Sequence, residues 1–234
     1  MRLITSADEE LFLTASVAGK LGRTRPLLER LQDRYDAAPD EPEAAFAYAL
    51  AQTAALPSIT SDFEVHAAFG TIVEMLGGVV DAAPDHWLAR YCRARLRALV
   101  PTSYSVFTIY TESELSKAAV DIGDLVLRQS RQRWMPYFAS THLLAAFVQR
   151  MADESGTTVD PPLPVADLLD AVTGRPHHPV AFPALGAMLC EPFVALHDLW
   201  DGPRRARLGE VMAALFPGQP AVERALAGDP LVGT

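Results

Sequence analysis

The chain has 234 residues, is half hydrophobic, and carries a formal net charge of -9. That size and composition suit a folded globular protein with core enough to need no disulfide staples. The acidic balance argues against nucleic-acid binding, which rests on an excess of Lys and Arg facing phosphates.

No uninterrupted apolar run reaches the roughly 18–20 residues that a bilayer span requires, so no membrane contact is expected. The opening MRLITSADEELFL holds acids where a signal peptide would be bare and apolar, and a cytoplasmic location is expected. Eighteen of the twenty basic residues are arginine, which with the abundant alanine fits a GC-rich bacterial genome. Cys92 and Cys190 lie far apart among apolar residues, with no CxxC partner, and read as buried reduced thiols.

Apolar residues recur at spacings of three and four through the first three-quarters of the chain, the pattern of amphipathic helices. A first helix is predicted over 9–21 and a second over 25–37, with Leu27, Leu28, Leu31 and Tyr35 on one face and Pro26 in its first turn. The break AAPDEPE separates it from a third over 43–56. Ser61 or Asp62 can cap a fourth over 63–81, with a bend or close helix contact at Gly77-Gly78. A fifth follows at 87–100. Two more are predicted at 114–132, with Ser113 as cap, and at 134–152. Val106, Phe107 and Ile109 mark residues 100–113 as a strand or ordered loop on the helices. The proline-rich residues 157–183 read as a joint before a C-terminal cap of two or three helices, and AGDPLVGT as a frayed tail. Two regions are therefore expected, 1–156 and 157–234, packed as one domain.

The breaks line up as a repeat. Twelve, eight, five and four residues before Pro39 stand Leu27, Leu31, Arg34 and Tyr35. The same offsets before Pro84 give Ile72, Leu76, Val79 and Val80, and before Arg131 they give Ala119, Gly123, Val126 and Leu127. Trp87 and Trp134 stand three residues after the last two anchors, each with an aromatic residue four later, Tyr91 and Phe138. Over residues 25–151 this resembles the A-x3-F-x2-A-L-x3-P helix of a tetratricopeptide repeat followed by the first helix of the next. The anchors are 45 and 47 residues apart, longer than that family's period, and the family's L-G pair is missing, so a HEAT-like or other α-solenoid fits nearly as well. The expected fold is all-α, with hairpins at 27–56, 63–100 and 115–151 stacked so that neighbours share a continuous core.

On the fifth helix, Leu88, Tyr91, Cys92, Leu96 and Leu99 form one stripe. Arg90, Arg93 and Arg97 form another roughly opposite, and Arg95 falls inside the apolar arc. The resemblance implies that such a first helix lines a concave groove, where guanidinium forks would grip the carboxylates of an acidic peptide or a phosphate. Trp87, Arg131 and Trp134 complete the candidate partner-binding set. A solvated face, its arginines pairing with Asp81 and Asp85, is the competing reading. Tryptophans at helix starts are also ordinary packing residues.

Three readings stay open. The first is an adaptor that holds a protein or acidic peptide in a groove. The second is an all-α enzyme whose site lies under residues 101–113 and 175–185. The third is a ligand-sensing regulatory domain. His177 and His178 offer no metal spacing, a Cys190–His177 nucleophile lacks flanking residues of that chemistry, and no phosphate- or dinucleotide-binding glycine motif occurs, so neither metal nor cofactor is expected. If the ladder is exposed, Arg93→Ala/Arg97→Ala should change stability by less than about 1 kcal/mol while weakening an acidic partner.

Overall fold

The computed structural model describes residues 2–103, 111–130, 137–175, 177–199 and 202–228. Within them the chain is 79% helical, above the share a helical-repeat protein needs, and no named strand occurs. Arg131, Trp134, Trp200, residues 104–110 and the final 229–234 lie outside the described residues. The chain divides into two compact units, Met1–Asp121 and Ile122–Thr234. The division falls inside a helix, upstream of the joint expected at 157.

The first unit holds α1 (Ser6–Lys20), α2 (Arg25–Ala37), α3 (Pro42–Ala55) with a short 3-10 turn (Leu56–Ser58), α4 (Asp62–Ala82), α5 (Trp87–Ser103), and the first part of α6 (Thr111–Ser130). Local chemistry sets the starts. Thr5 Oγ1 accepts the Asp8 amide at 3.3 Å while Asp8 Oδ2 accepts the Thr5 amide at 2.8 Å, a reciprocal capping box. Ser61, rather than Asp62, caps α4 through the Glu64 amide. Ser113 caps nothing, because α6 has already begun at Thr111.

Helix α3 is the hub on which α1, α2 and α4 all pack. Ala44, Ala45, Ala49, Ala51, Ala54 and Ala55 are buried there with Phe46 and Leu50, so α3 has no polar face. Apolar residues all round are what a helix surrounded by others needs, and small ones let backbones approach. Helix α4 in turn packs on α5 as well as on α3, and Phe69, Ile72, Leu76 and Val80 are among its buried residues. Helix α4, 21 residues long, is long and apolar enough to cross a membrane by length and composition, with a mean hydropathy of 1.3 over an 18-residue window. An uninterrupted-run criterion missed this because polar residues on its outer side break the run. On α1, Leu13, Val17 and Leu21 leave an apolar stripe exposed.

Helix α4 runs without a break through Gly77 and Gly78. A Cβ at Gly77 would meet Arg93 Nη1 at 3.4 Å, so this glycine marks the close contact with α5. Helices α2 and α4 each stop two residues before a proline, Pro39 and Pro84. At the third expected anchor the match is weaker, since Leu127 is exposed whereas Tyr35 and Val80 are partly or wholly covered.

The second unit continues α6 and adds α7 (Phe138–Ser155), α8 (Val165–Thr173), α9 (Pro183–Leu189), α10 (Glu191–Leu199), α11 (Gly202–Leu215) and α12 (Pro220–Ala227). Two or three helices were expected after residue 160, and five occur. They are short, and α9 and α12 start on prolines, which read as breaks in sequence but suit a first helical turn. The supposed joint contains α8. Helix α7 is the second hub, buried from Ala139 to Gln149, with α8 and α10 against it. Gln149 Oε1 accepts the Leu163 amide at 2.7 Å, tying the α7–α8 connection to the hub.

Trp87 has no exposed surface and stacks on Tyr91 with ring centroids 4.8 Å apart. Trp87→Ala should therefore cost about 3–5 kcal/mol in chemical denaturation. An unchanged midpoint would contradict a packing role.

Candidate functional site

The arginines of α5 share a face, as their spacing dictates, but that face is covered. Asp121 on α6, only 4% exposed, accepts Arg93 Nε at 2.9 Å and a second bond from Arg93 Nη2, and its other bond comes from Arg97 Nη1 at 2.9 Å. Glu114, two helical turns earlier on α6, lies 3.4 Å from Arg97 Nε and also takes Lys117 Nζ. Arg93 and Arg97 keep 12% and 16% of their side-chain exposure. Burial pulls the Arg97 guanidinium below its ordinary value, with Asp121 pulling the other way. The expected open ladder is corrected on this point. Its two lower rungs are internal ion pairs, and the partners are Asp121 and Glu114 rather than Asp81 and Asp85. Arg90 is half-buried on the same helix, as is Arg95. Trp87 lies in the core and offers no surface to a partner, and Arg131 and Trp134 lie outside the described residues.

A second polar cluster joins the chain's start to the α4–α5 turn. Arg2 grips Asp8 with bonds of 2.8 and 3.0 Å, reaches Glu43 Oε1 at 2.6 Å, and stands 5.0 Å over the Phe46 ring. The Arg2 amide donates to the Asp85 carbonyl at 2.9 Å and the Trp87 amide to the Arg2 carbonyl at 3.3 Å. His86 packs on the other aromatic contact of Phe46, with centroids 4.3 Å apart, and its Nδ1 accepts the Ala89 amide at 3.1 Å, capping α5. Burial, helped by the Arg2 charge, pushes the imidazole down to about 4. This cluster is a clasp on the fold, its Arg2 and Asp8 groups already matched to each other.

The enzyme-side candidates also face the fold. His177 Nε2–H donates to the Val172 carbonyl at 2.7 Å, and Cys190 Sγ donates to the Ala187 carbonyl at 3.2 Å. Burial pushes the Cys92 thiol up to about 12, so it is a packed thiol and not a nucleophile at neutral pH. Among the described residues no three His, Cys, Asp or Glu side chains converge as a metal site.

An open groove of about 650 Å3 lies in the first unit, between α2 and α4 with α3 as its floor. Tyr35 from α2 and Tyr48 from α3 stand together with centroids 6.3 Å apart, and the Tyr48 hydroxyl donates to Gln32 Oε1 at 3.3 Å. Met75 supplies apolar surface. Asp36, Asp40 and Glu74 bring exposed carboxylates to both walls. None of the three arginines lines it. Sequence reasoning passed over this site because its acids sit on two helices and a turn, a convergence visible only once α2 and α4 are seated on α3.

No family model, curated protein or solved structure matches the chain.

Two outcomes follow from the buried groups. Arg93→Ala/Arg97→Ala strands Asp121 as an unpaired buried carboxylate and should cost about 3–5 kcal/mol in denaturant titration. A change below about 1 kcal/mol would mean an exposed ladder after all.

The second concerns pH. Above 6.5 His86 is neutral folded and unfolded, and contributes no slope. Between 6.5 and about 4 the unfolded chain binds a proton that the folded chain refuses, so stability falls as pH falls, by about 3 kcal/mol in total. His142, also pushed down by burial, adds in the same sense. His86→Asn keeps a cap acceptor and should flatten part of this slope. An identical slope in the variant would contradict the assignment.

Proposed function

We propose that this chain is a tetratricopeptide-like helical-repeat binding protein, an adaptor that holds an extended segment of a protein partner in the α2–α3–α4 groove, as an accessory within a bacterial pathway. The observation that carries this reading is the groove itself. Its volume lies within the range of ligand sites, about 300–1,000 Å3, and aromatic residues with exposed polar groups line it, the combination that anchors partners at interfaces. The recurrence of helix ends before Pro39 and Pro84 supports the repeat element of the proposal. The exposed Leu13, Val17 and Leu21 stripe on α1 adds a further uncovered surface on the same unit.

The arginine stripe gives an acidic partner less support than its spacing promised. Arg93 and Arg97 are already matched by Asp121 and Glu114. An acidic segment would have to displace two buried carboxylates to reach them.

The test is site-specific photo-cross-linking in extract of the source cells. A benzophenone side chain at Thr71, on the groove, should give a discrete adduct that is lost when Tyr48→Leu is added. The same group at Glu223 on α12 should give none. Adducts at neither position, or equally at both, would contradict a groove-bound partner.

A further inference from the structure

We infer that the groove's occupant is a basic segment bearing arginine, supplied by a partner protein. This rests on the groove reading above and specifies its chemistry. The inference comes from charge complementarity joined to the shape of the walls. Asp36 ends α2, Asp40 sits in the following turn, and Glu74 stands on α4, so a chain lying in the groove meets negative charge on both sides. Among the described residues no ion pair or hydrogen bond engages any of these three carboxylates. Arg34, the cation nearest to them in sequence, is paired with Glu41 at 3.4 Å. A cation seated between the walls would meet carboxylates from both sides.

The tyrosines make the preference narrower. Tyr35 and Tyr48 present ring surface on one side of the groove, inclined at 33° to each other. A guanidinium can lie on such a ring face while its edge donates two parallel bonds to a carboxylate. Its aliphatic stem would cover Met75 on the α4 wall. An acidic segment would meet the same walls with repulsion, and a neutral one would leave the carboxylates unmatched. The chain's net charge of -9 adds a long-range field that favours approach by a cationic partner.

The test uses the full chain and a fluorescein-labelled decapeptide alternating arginine with glycine and serine, read by anisotropy at low and moderate salt. Matched peptides carry glutamine or aspartate in place of arginine. The arginine peptide should bind, the glutamine peptide should bind at least roughly tenfold more weakly, and the aspartate peptide weakest of all. Asp36→Asn/Asp40→Asn/Glu74→Gln should weaken the arginine peptide roughly tenfold or more. Glu10→Gln/Asp167→Asn/Glu223→Gln, which changes net charge equally at exposed sites elsewhere, should weaken it less than about threefold. All six positions are at the surface, so both triples should melt with the wild type.

Equal loss in the two triples would overturn the inference, because bulk charge alone would then account for binding. So would no binding of the arginine peptide. Tight binding of the glutamine peptide, lost with Tyr48→Leu, would overturn the basic preference while leaving a peptide groove in place. A concentration-dependent dimer in sedimentation, abolished by the groove triple, would assign the groove to a second copy of this chain and overturn the inference as well.

Discussion

Two guanidinium groups cannot be held side by side under a neighbouring helix without counter-charge, and Asp121 provides it between Arg93 and Arg97. Taking a charged side chain out of water costs several kcal/mol, and only close, well-directed hydrogen bonds offset that cost. Asp121 meets the condition by accepting from both arginines, and Glu114 adds a further negative group beside Arg97. The consequence is positional. Helix α6 is registered against α5 by specific charges, and the most conspicuous polar pattern in the chain is consumed in doing so. Gly77 belongs to the same arrangement, because its missing side chain leaves Arg93 room against α4.

The groove has a different origin. Helices α2 and α4 both seat on α3, whose alanines allow close approach from several sides. Two helices leaning on a third leave a furrow between them, and its character depends on which residues face it. Here those are tyrosines and carboxylates. Asp36, Asp40 and Glu74 bring carboxylates to opposing walls, and the proposed basic partner rests on that charge pattern.

Much of this was legible in the sequence. The spacing of Leu27, Leu31, Ile72 and Leu76 marked helices with one buried side, and Ser61, Cys92 and Trp87 sit where their chemistry placed them. The three arginines do share a face. What one helix's periodicity could not reveal was the cover on that face, because Asp121 is 28 residues from Arg93 in sequence and belongs to another helix. Helical wheels sort polar from apolar, and a buried ion pair has the pattern of a solvated one. Prolines misled in the other direction. Pro183 and Pro220 begin helices, and a reading that treated proline as a break lost α8, α9 and α12 within a supposed joint and cap. The groove was illegible for a third reason, since Asp36, Asp40 and Glu74 form no motif until three helices are assembled.

The central claim is that the first unit meets its partner along the α2–α3–α4 groove while the α5 arginines serve the fold. Amide hydrogen exchange on the full chain, with and without the arginine peptide, tests it directly. The account predicts added protection confined to residues 32–48 and 71–82, with 90–97 unchanged. Protection gained at 90–97 and absent from the groove would contradict it.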